Sequence, residues 1–170
     1  MANPYVLLET SMGEILVELF ADKAPKTVEN FLSYVDEGFY EGTIFHRVIR
    51  DFMNQGGGFD MMMKERQTKA PVANEASPEV PNLRGTIAMA RTMEPHSATA
   101  QFFINAKDNH FLDRRGDTPE TYGYCVFGRV EEGMDVVDKI NKLRTKRFGF
   151  HDDVPVDPVT ILSAKRFEME

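Results

Sequence analysis

Between residues 45 and 58 the chain reads FHRVIRDFMNQGGG, an alternating apolar and polar run that ends in three consecutive glycines. A period of two belongs to a β-strand. It puts Ile44, His46 and Val48 on one face and Phe45, Arg47 and Ile49 on the other. On either face a charge or an imidazole shares the surface with apolar side chains. Phe52, Met53 and Gln55 then lead into Gly56, Gly57 and Gly58, which reads as a strand stopping at a sharp turn that side chains would obstruct. Taken alone, the stretch has ordinary explanations: an arginine snorkelling over apolar surface, a hydrogen-bonded core imidazole and a glycine turn. It is not a nucleotide loop, because no Lys and Ser/Thr follow the glycines and no Gly-x-Gly-x-x-Gly is present in it.

The rest of the chain supplies more strands. Residues 5–10 and 14–20 read as a hairpin turning through Ser11, Met12 and Gly13. Pro25 suits the first turn of a helix, Val28, Phe31, Leu32 and Val35 follow at helical spacing, and Gly38 is placed to end it. Residues 59–83 are too irregular for a regular element and are expected to wrap the surface, with Met61, Met62 and Met63 as filler against the body. Strands are expected at 86–91, 101–105 and 124–130, and a short helical piece at 109–112. A second helix is expected over 134–143, buried through Val136, Val137, Ile140 and Leu143, and a closing strand over 159–167 beside the first. Many strands and two widely separated helices suggest an antiparallel sheet curled into a barrel, with a sandwich as the open alternative.

A chain of 170 residues with prolines and glycines spread along it fits one domain, residues 1–170, with a single sizeable core. No apolar run reaches the roughly 18 residues of a membrane span, and the N-terminus has no signal-peptide pattern. Cys125 is the one cysteine, so no intramolecular disulfide can form; it sits in an apolar run, reads as a small buried hydrophobe, and makes a cytoplasmic protein the natural expectation. A formal net charge of −7 opposes binding to nucleic acid or anionic membranes. The local run of Lys139, Lys142, Arg144, Lys146 and Arg147 falls at the end of the second expected helix and just beyond it, where cations complement exposed carbonyls.

Chemistry is narrowed by elimination. There is no Gly-x-Ser-x-Gly elbow and Cys125 has no evident His partner. His46, His96, His110 and His151 are scattered without ligand spacing, so no metal or cofactor is expected. What is left is binding, or catalysis by electrostatics and shape.

A second conspicuous segment, Gly85-Thr86-Ile87-Ala88-Met89-Ala90-Arg91, precedes Ser97-Ala98-Thr99-Ala100-Gln101-Phe102-Phe103-Ile104. With the first segment it resembles the cyclophilin-type peptidyl-prolyl isomerases, whose wording is Phe-His-Arg, Phe-Met-x-Gln-Gly-Gly, Gly-x-x-x-Met-Ala and Ser-Gln-Phe-Phe-Ile or a close variant. The blocks stand in the family's order and spacing, the likeness runs from about residue 5 to 167, and the nearest variant is the bacterial cytoplasmic cyclophilin. The resemblance implies a closed eight-stranded antiparallel β-barrel capped by two α-helices, with a packed interior and a binding groove on the outside.

It also implies roles. Arg47 is the donor to the prolyl nitrogen and Gln55 contacts substrate and helps hold the arginine; Phe52, Met53, Phe103 and Leu112 wall the proline pocket. The backbone of Ala90, Arg91 and Thr92 holds the residues before proline, and Gln101 is a second polar groove residue. Read without the family, the apolar members are core residues. His46 is expected to support Arg47 rather than to transfer protons.

Three positions depart from the family pattern. Phe111 stands where many members carry tryptophan, which removes an indole N–H donor and predicts weak binding of the inhibitor cyclosporin A. Tyr124 replaces a histidine in the groove wall. Asn54 stands where an apolar residue is usual; buried without a partner, it would cost about 1 to 3 kcal/mol and disturb Met53 and Gln55. The expected partners are proline-containing peptides and unfolded proteins, bound by a monomer; a non-catalytic peptide-binding or chaperone module is the competing reading.

Overall fold

The alternating stretches pair into one antiparallel sheet in a computed structural model that describes residues 3–168. Its strands are β1 (Tyr5–Thr10), β2 (Gly13–Leu19), β3 (Arg47–Ile49), β4 (Met53–Gly56), β5 (Thr86–Met89), β6 (Phe102–Asn105), β7 (Val126–Glu132) and β10 (Ile161–Phe167). They lie in the order β10-β1-β2-β7-β5-β6-β4-β3. A separate hairpin, β8 (Thr145–Phe148) with β9 (His151–Pro155), lies outside that sheet.

The eight-stranded sheet and two helices match the expected barrel, but closure by a continuous ladder does not hold. The two edge strands, β3 and β10, share no register. The gap is spanned by irregular chain just ahead of β3. Phe45 N–H donates to Val159 O (3.0 Å), Gly42 N–H to Ile161 O (2.8 Å), and Ile161 N–H to Thr43 O (2.7 Å).

That same bridging breaks the alternation expected from Ile44 to Ile49. Phe45 and Val48 both enter the interior, while His46 packs against Phe59 at a ring separation of 4.4 Å. Regular pairing begins only at Arg47.

The helix α1 (Pro25–Asp36) carries its proline in the first turn and ends at Glu37, followed by Gly38 with φ of 72°. Ala24 offers no capping side chain, so the orphan N–H groups find a distant one. The Glu75 carboxylate accepts from the N–H of Lys26 (3.3 Å) and Thr27 (2.7 Å), which also suits the positive end of the helix. The second helix, α2 (Met134–Asn141), buries Val136, Val137, Ile140 and Asn141. Both helices contribute to an interior cluster that includes Leu8, Ile15, Phe31, Phe102, Ile104 and Phe127.

Two further expectations are corrected. Of the cationic run, Lys139 occupies the last turn of α2 and Lys142 its C-cap, as expected, but Lys146 and Arg147 stand on exposed β8, a strand of their own rather than the trailing end of a helix. Met61 and Met62 are 57% and 81% exposed rather than tucked in. Asp60 Oδ1 accepts from the N–H of Met62 (2.8 Å) and Lys64 (3.1 Å), and this side-chain-capped turn pushes the methionines outward. Cys125 is buried as expected, and burial pushes its thiol up to about 11. No helix among the described residues is long and apolar enough to cross a membrane.

Candidate active site

The register of β3, β4 and β6 builds one row across the outside of the barrel: Arg47 lies opposite Gln55, and Gln55 opposite Phe103. One position along, Val48, Asn54 and Ile104 form the inward row. The outer row grows into a second apolar cluster, separate from the interior one, made of Met53, Ala88, Phe103, Leu112 and Val126, with Phe52, Ala90 and Tyr124 packed at its edge.

A cavity of about 300 Å³ opens over this cluster, lined by Arg47, Phe52, Met53, Gln55, Ala90, Arg91, Phe103, Phe111, Leu112 and Tyr124. Met53 and Phe103 form its dry floor at 1% and 4% exposure, and Phe111 is its exposed rim, with its ring 5.5 Å from that of Phe52. Thr92 and Gln101 line a neighbouring cavity of about 210 Å³ that shares Gln55, Ala90 and Arg91 with the first. All twelve residues expected from the sequence therefore meet along one surface. Glu65, Ser97 and Thr99 join them unannounced. Ser97 and Thr99 sit inside a block already conspicuous in the sequence, whereas Glu65 lies in irregular chain with no pattern to point to it.

Polar contacts link the two cavities. The Arg47 guanidinium Nη1 donates to Gln55 Oε1 (3.1 Å), and Gln55 Nε2 donates to Gln101 Oε1 (2.9 Å). The glycines make room for this line. Gly57 has φ of 87°, a Cβ on Gly56 would lie 2.7 Å from Ile44 O, and one on Gly58 would strike Gln101 Cγ at 2.4 Å.

Arg91 has a different task from Arg47. Its Nε donates to Gly123 O (3.1 Å), Nη1 to Thr92 O (2.9 Å) and Nη2 to Pro119 O (3.2 Å), while the guanidinium stacks over Tyr124 at 4.5 Å. Its guanidinium ties loop 118–124 to the segment that follows β5. In the same stretch the Ala90 N–H is taken by Gln101 O (3.0 Å) and the Thr92 N–H by Ser97 Oγ (3.0 Å).

The rim is held from below by a buried asparagine network. Asn105 Nδ2 donates to Asn82 Oδ1 (3.1 Å) and Thr86 Oγ1 (2.9 Å), and Asn109 Nδ2 donates to Asn105 Oδ1 (2.8 Å) and Phe52 O (3.0 Å). Asp113 accepts from the Asn82 N–H (2.6 Å) and pairs with His110 Nδ1 (2.9 Å). Burial raises the Asp113 carboxyl, but the hydrogen bonds from Asn82 and His110 outweigh it and hold it below the usual range. Together these contacts fix the 3-10 turn His110–Leu112 that carries Phe111 and Leu112.

Asn54 is buried and bonded at both ends of its amide, donating to Val137 O (3.1 Å) and accepting from Asn141 Nδ2 (2.9 Å). The feared unpaired amide does not arise. His46 packs against Phe59 with its ring tilted, His151 lies nearby at 6.4 Å between rings, and among the described residues no partner meets its buried Nδ1. Burial, then the charges of His151 and Arg47, lower its pKa from 6.5 to about 4, so the ring is neutral at pH 7.

The chain matches a family model described as cyclophilin type peptidyl-prolyl cis-trans isomerase over residues 5–166. It is 57% identical over 158 residues to peptidyl-prolyl cis-trans isomerase B of Escherichia coli K12, covering 93% of this chain and 96% of that protein. It is 59% identical over 160 residues to the isomerase cyp18 of Streptomyces antibioticus, covering 94% and 96%. In fold it is similar to a crystal structure of a Cryptosporidium parvum cyclophilin-type isomerase, with a TM-score of 0.81, 24% identity and 99% of each chain covered. A second crystal structure of that parasite protein, at a TM-score of 0.80 and covering 97% of this chain and 99% of that one, was obtained in the presence of the dipeptide Ala-Pro.

Proposed function

We propose that this chain, which belongs to the cyclophilin-type peptidyl-prolyl cis-trans isomerase family and is such an isomerase, lowers the barrier of its reaction chiefly through Arg47. Resonance gives the amide C–N bond its double-bond character and a rotation barrier of about 18 to 20 kcal/mol. Halfway through rotation that resonance is lost and the prolyl nitrogen regains a lone pair. A donor held against the nitrogen at that moment stabilises the twisted amide more than either planar isomer, which is the differential binding that accelerates a reaction.

The observation that carries this reading is the guanidinium at the edge of an apolar pocket, anchored on one side by Gln55. Among the described residues Gln55 supplies the one side-chain hydrogen bond of Arg47, so donors remain for a substrate. A guanidinium needs no proton transfer, and its planar fork fixes the direction of the hydrogen bond. Proline would seat on Met53, Phe103 and Leu112 under Phe52, a dry surface that strengthens the bond. The backbone of Ala90, Arg91 and Thr92 would hold the residues before proline, with Gln101 beside them in the neighbouring cavity.

The substrates are proline-containing peptides and unfolded proteins in the cytoplasm, met by a monomer. With Phe111 at the rim in place of an indole, cyclosporin A binds weakly. The test is a prolyl-peptide isomerisation assay, with proline-limited refolding, on the native protein and on Arg47→Ala. A charge-assisted hydrogen bond of about 1.5 to 3 kcal/mol corresponds to a roughly 10- to 150-fold loss of kcat/KM. Equal rates would instead make the groove a peptide-binding module without useful turnover.

A further inference from the structure

Asn54 and Asn141 are buried to 1% and 5% exposure, and neither lines the groove. Asn141, the last residue of α2, reaches into the turn that joins β3 to β4. Its Nδ2 donates to Ile49 O (3.0 Å), to Asn54 Oδ1 (2.9 Å) and, more weakly, to Met53 O (3.4 Å). Its Oδ1 accepts from the Asp51 N–H (2.9 Å). Asn54 closes the circuit by donating to Val137 O in the same helix (3.1 Å).

The turn needs such a hold. Asp51 adopts φ of 59°, a conformation that non-glycine residues rarely take, and the turn is closed by Phe52 N–H donating to Ile49 O (3.1 Å). Two apolar side chains at positions 54 and 141 could fill the same space. They could not accept from the Asp51 N–H, and the turn would lose that tie to α2.

We infer that Asn141, with Asn54, is a positioning clasp: it locks the 49–54 turn to α2 and so sets Phe52 and Met53 against Arg47. The inference rests on the groove being the catalytic site. Phe52 and Met53 leave the turn immediately after Asp51, and Arg47 enters the same hairpin two residues before Ile49. A small rotation of this hairpin end shifts the pocket wall relative to the guanidinium, and a displacement near 1 Å can cost about a hundredfold in rate.

The test compares Asn141→Ala, Asn54→Ala, Val136→Ala and Arg47→Ala in peptide isomerisation, at a temperature where circular dichroism shows each variant folded. Val136 lies in the same helix but packs against Gly13 at the far turn of β1 and β2, so its truncation loosens α2 without touching the clasp. Asn141→Ala is expected to lower kcat and kcat/KM together by about tenfold, the pattern of an interaction lost in the transition state. Asn54→Ala should cost about threefold, because Asn141 keeps Ile49 O and the Asp51 N–H. Val136→Ala should lower the melting temperature with kcat/KM per folded molecule within twofold. If Asn141→Ala keeps native kcat/KM, or Val136→Ala loses as much as Asn141→Ala does, the clasp is overturned. Should Asn141→Ala not fold, Asn54→Ala against Val136→Ala decides, a native kcat in the former overturning the proposal. Arg47→Ala separates the two readings, since full activity there removes the catalytic reading whatever the asparagines do.

Discussion

Phe102 and Phe103 are consecutive, identical in chemistry and almost equally hidden, yet they belong to different parts of the molecule. Phe102 points inward, where its ring lies 5.7 Å from Phe31, 5.5 Å from Tyr40 and 6.0 Å from Phe45. Phe103 points outward, 5.8 Å from Tyr124, over an open cavity beside Arg47 and Gln55. Pleating alone sends neighbours to opposite faces. What differs is what lies beyond: protein on all sides for Phe102, space for a ligand above Phe103. An apolar side chain surrounded by protein contributes to stability, and one facing a cavity is available for binding.

The most severe test of that contrast is truncation of the two rings. Phe102→Ala should cost about 3 to 5 kcal/mol in chemical denaturation while any folded protein stays active. Phe103→Ala should cost less stability and reduce kcat/KM by more than tenfold; similar stability losses with similar activity would erase the distinction.

His46, buried against Phe59 away from the groove, tests burial through pH. The folded protein keeps it neutral, with a pKa of about 4 against 6.5, so between those values the unfolded chain binds the extra proton. The stabilisation is fully present above pH 6.5 and is lost as pH falls toward 4, amounting to about 3 kcal/mol. Denaturation at pH 7 and pH 4.5 should show the loss, and His46→Phe should flatten it. An unchanged slope in that variant would assign the acid sensitivity to other groups.

Arg47→Ala probes the outer side alone. It should lose roughly 10- to 150-fold in kcat/KM. Its melting temperature should stay within about 2 °C of native, because exposed polar contacts contribute little to stability. The smallest effect is expected at the rim. Phe111→Trp restores an indole N–H, and titration should show cyclosporin A binding about tenfold tighter, a gain of about 1.4 kcal/mol, with peptide turnover little changed.

Much of this was legible in the residues themselves. Alternation found most strands, helical spacing found α1 and α2, and the resemblance to the cyclophilin-type isomerases named the twelve residues that share one surface. Other features were not. The hairpin of β8 and β9 was hidden because Lys146, Arg147 and Phe148 are exposed and carry no alternation, so their charge suggested a helix end. Glu65 gave no signal because irregular chain is placed by contacts rather than by periodicity.

Asn54 marks the boundary most clearly. Local chemistry says that an amide on an inward-facing position of a strand must find partners, and it supplies the cost of failing. It cannot say that those partners wait 83 and 87 residues further on, on α2. The residues alone fixed which elements the spacing favours and which types of group had to be satisfied, since both follow from bonds and solvation within a few residues. Only the folded chain decided which of the two sheet faces is filled, which is left open, and which helix meets the turn beside Arg47, because those depend on distances between segments far apart in sequence.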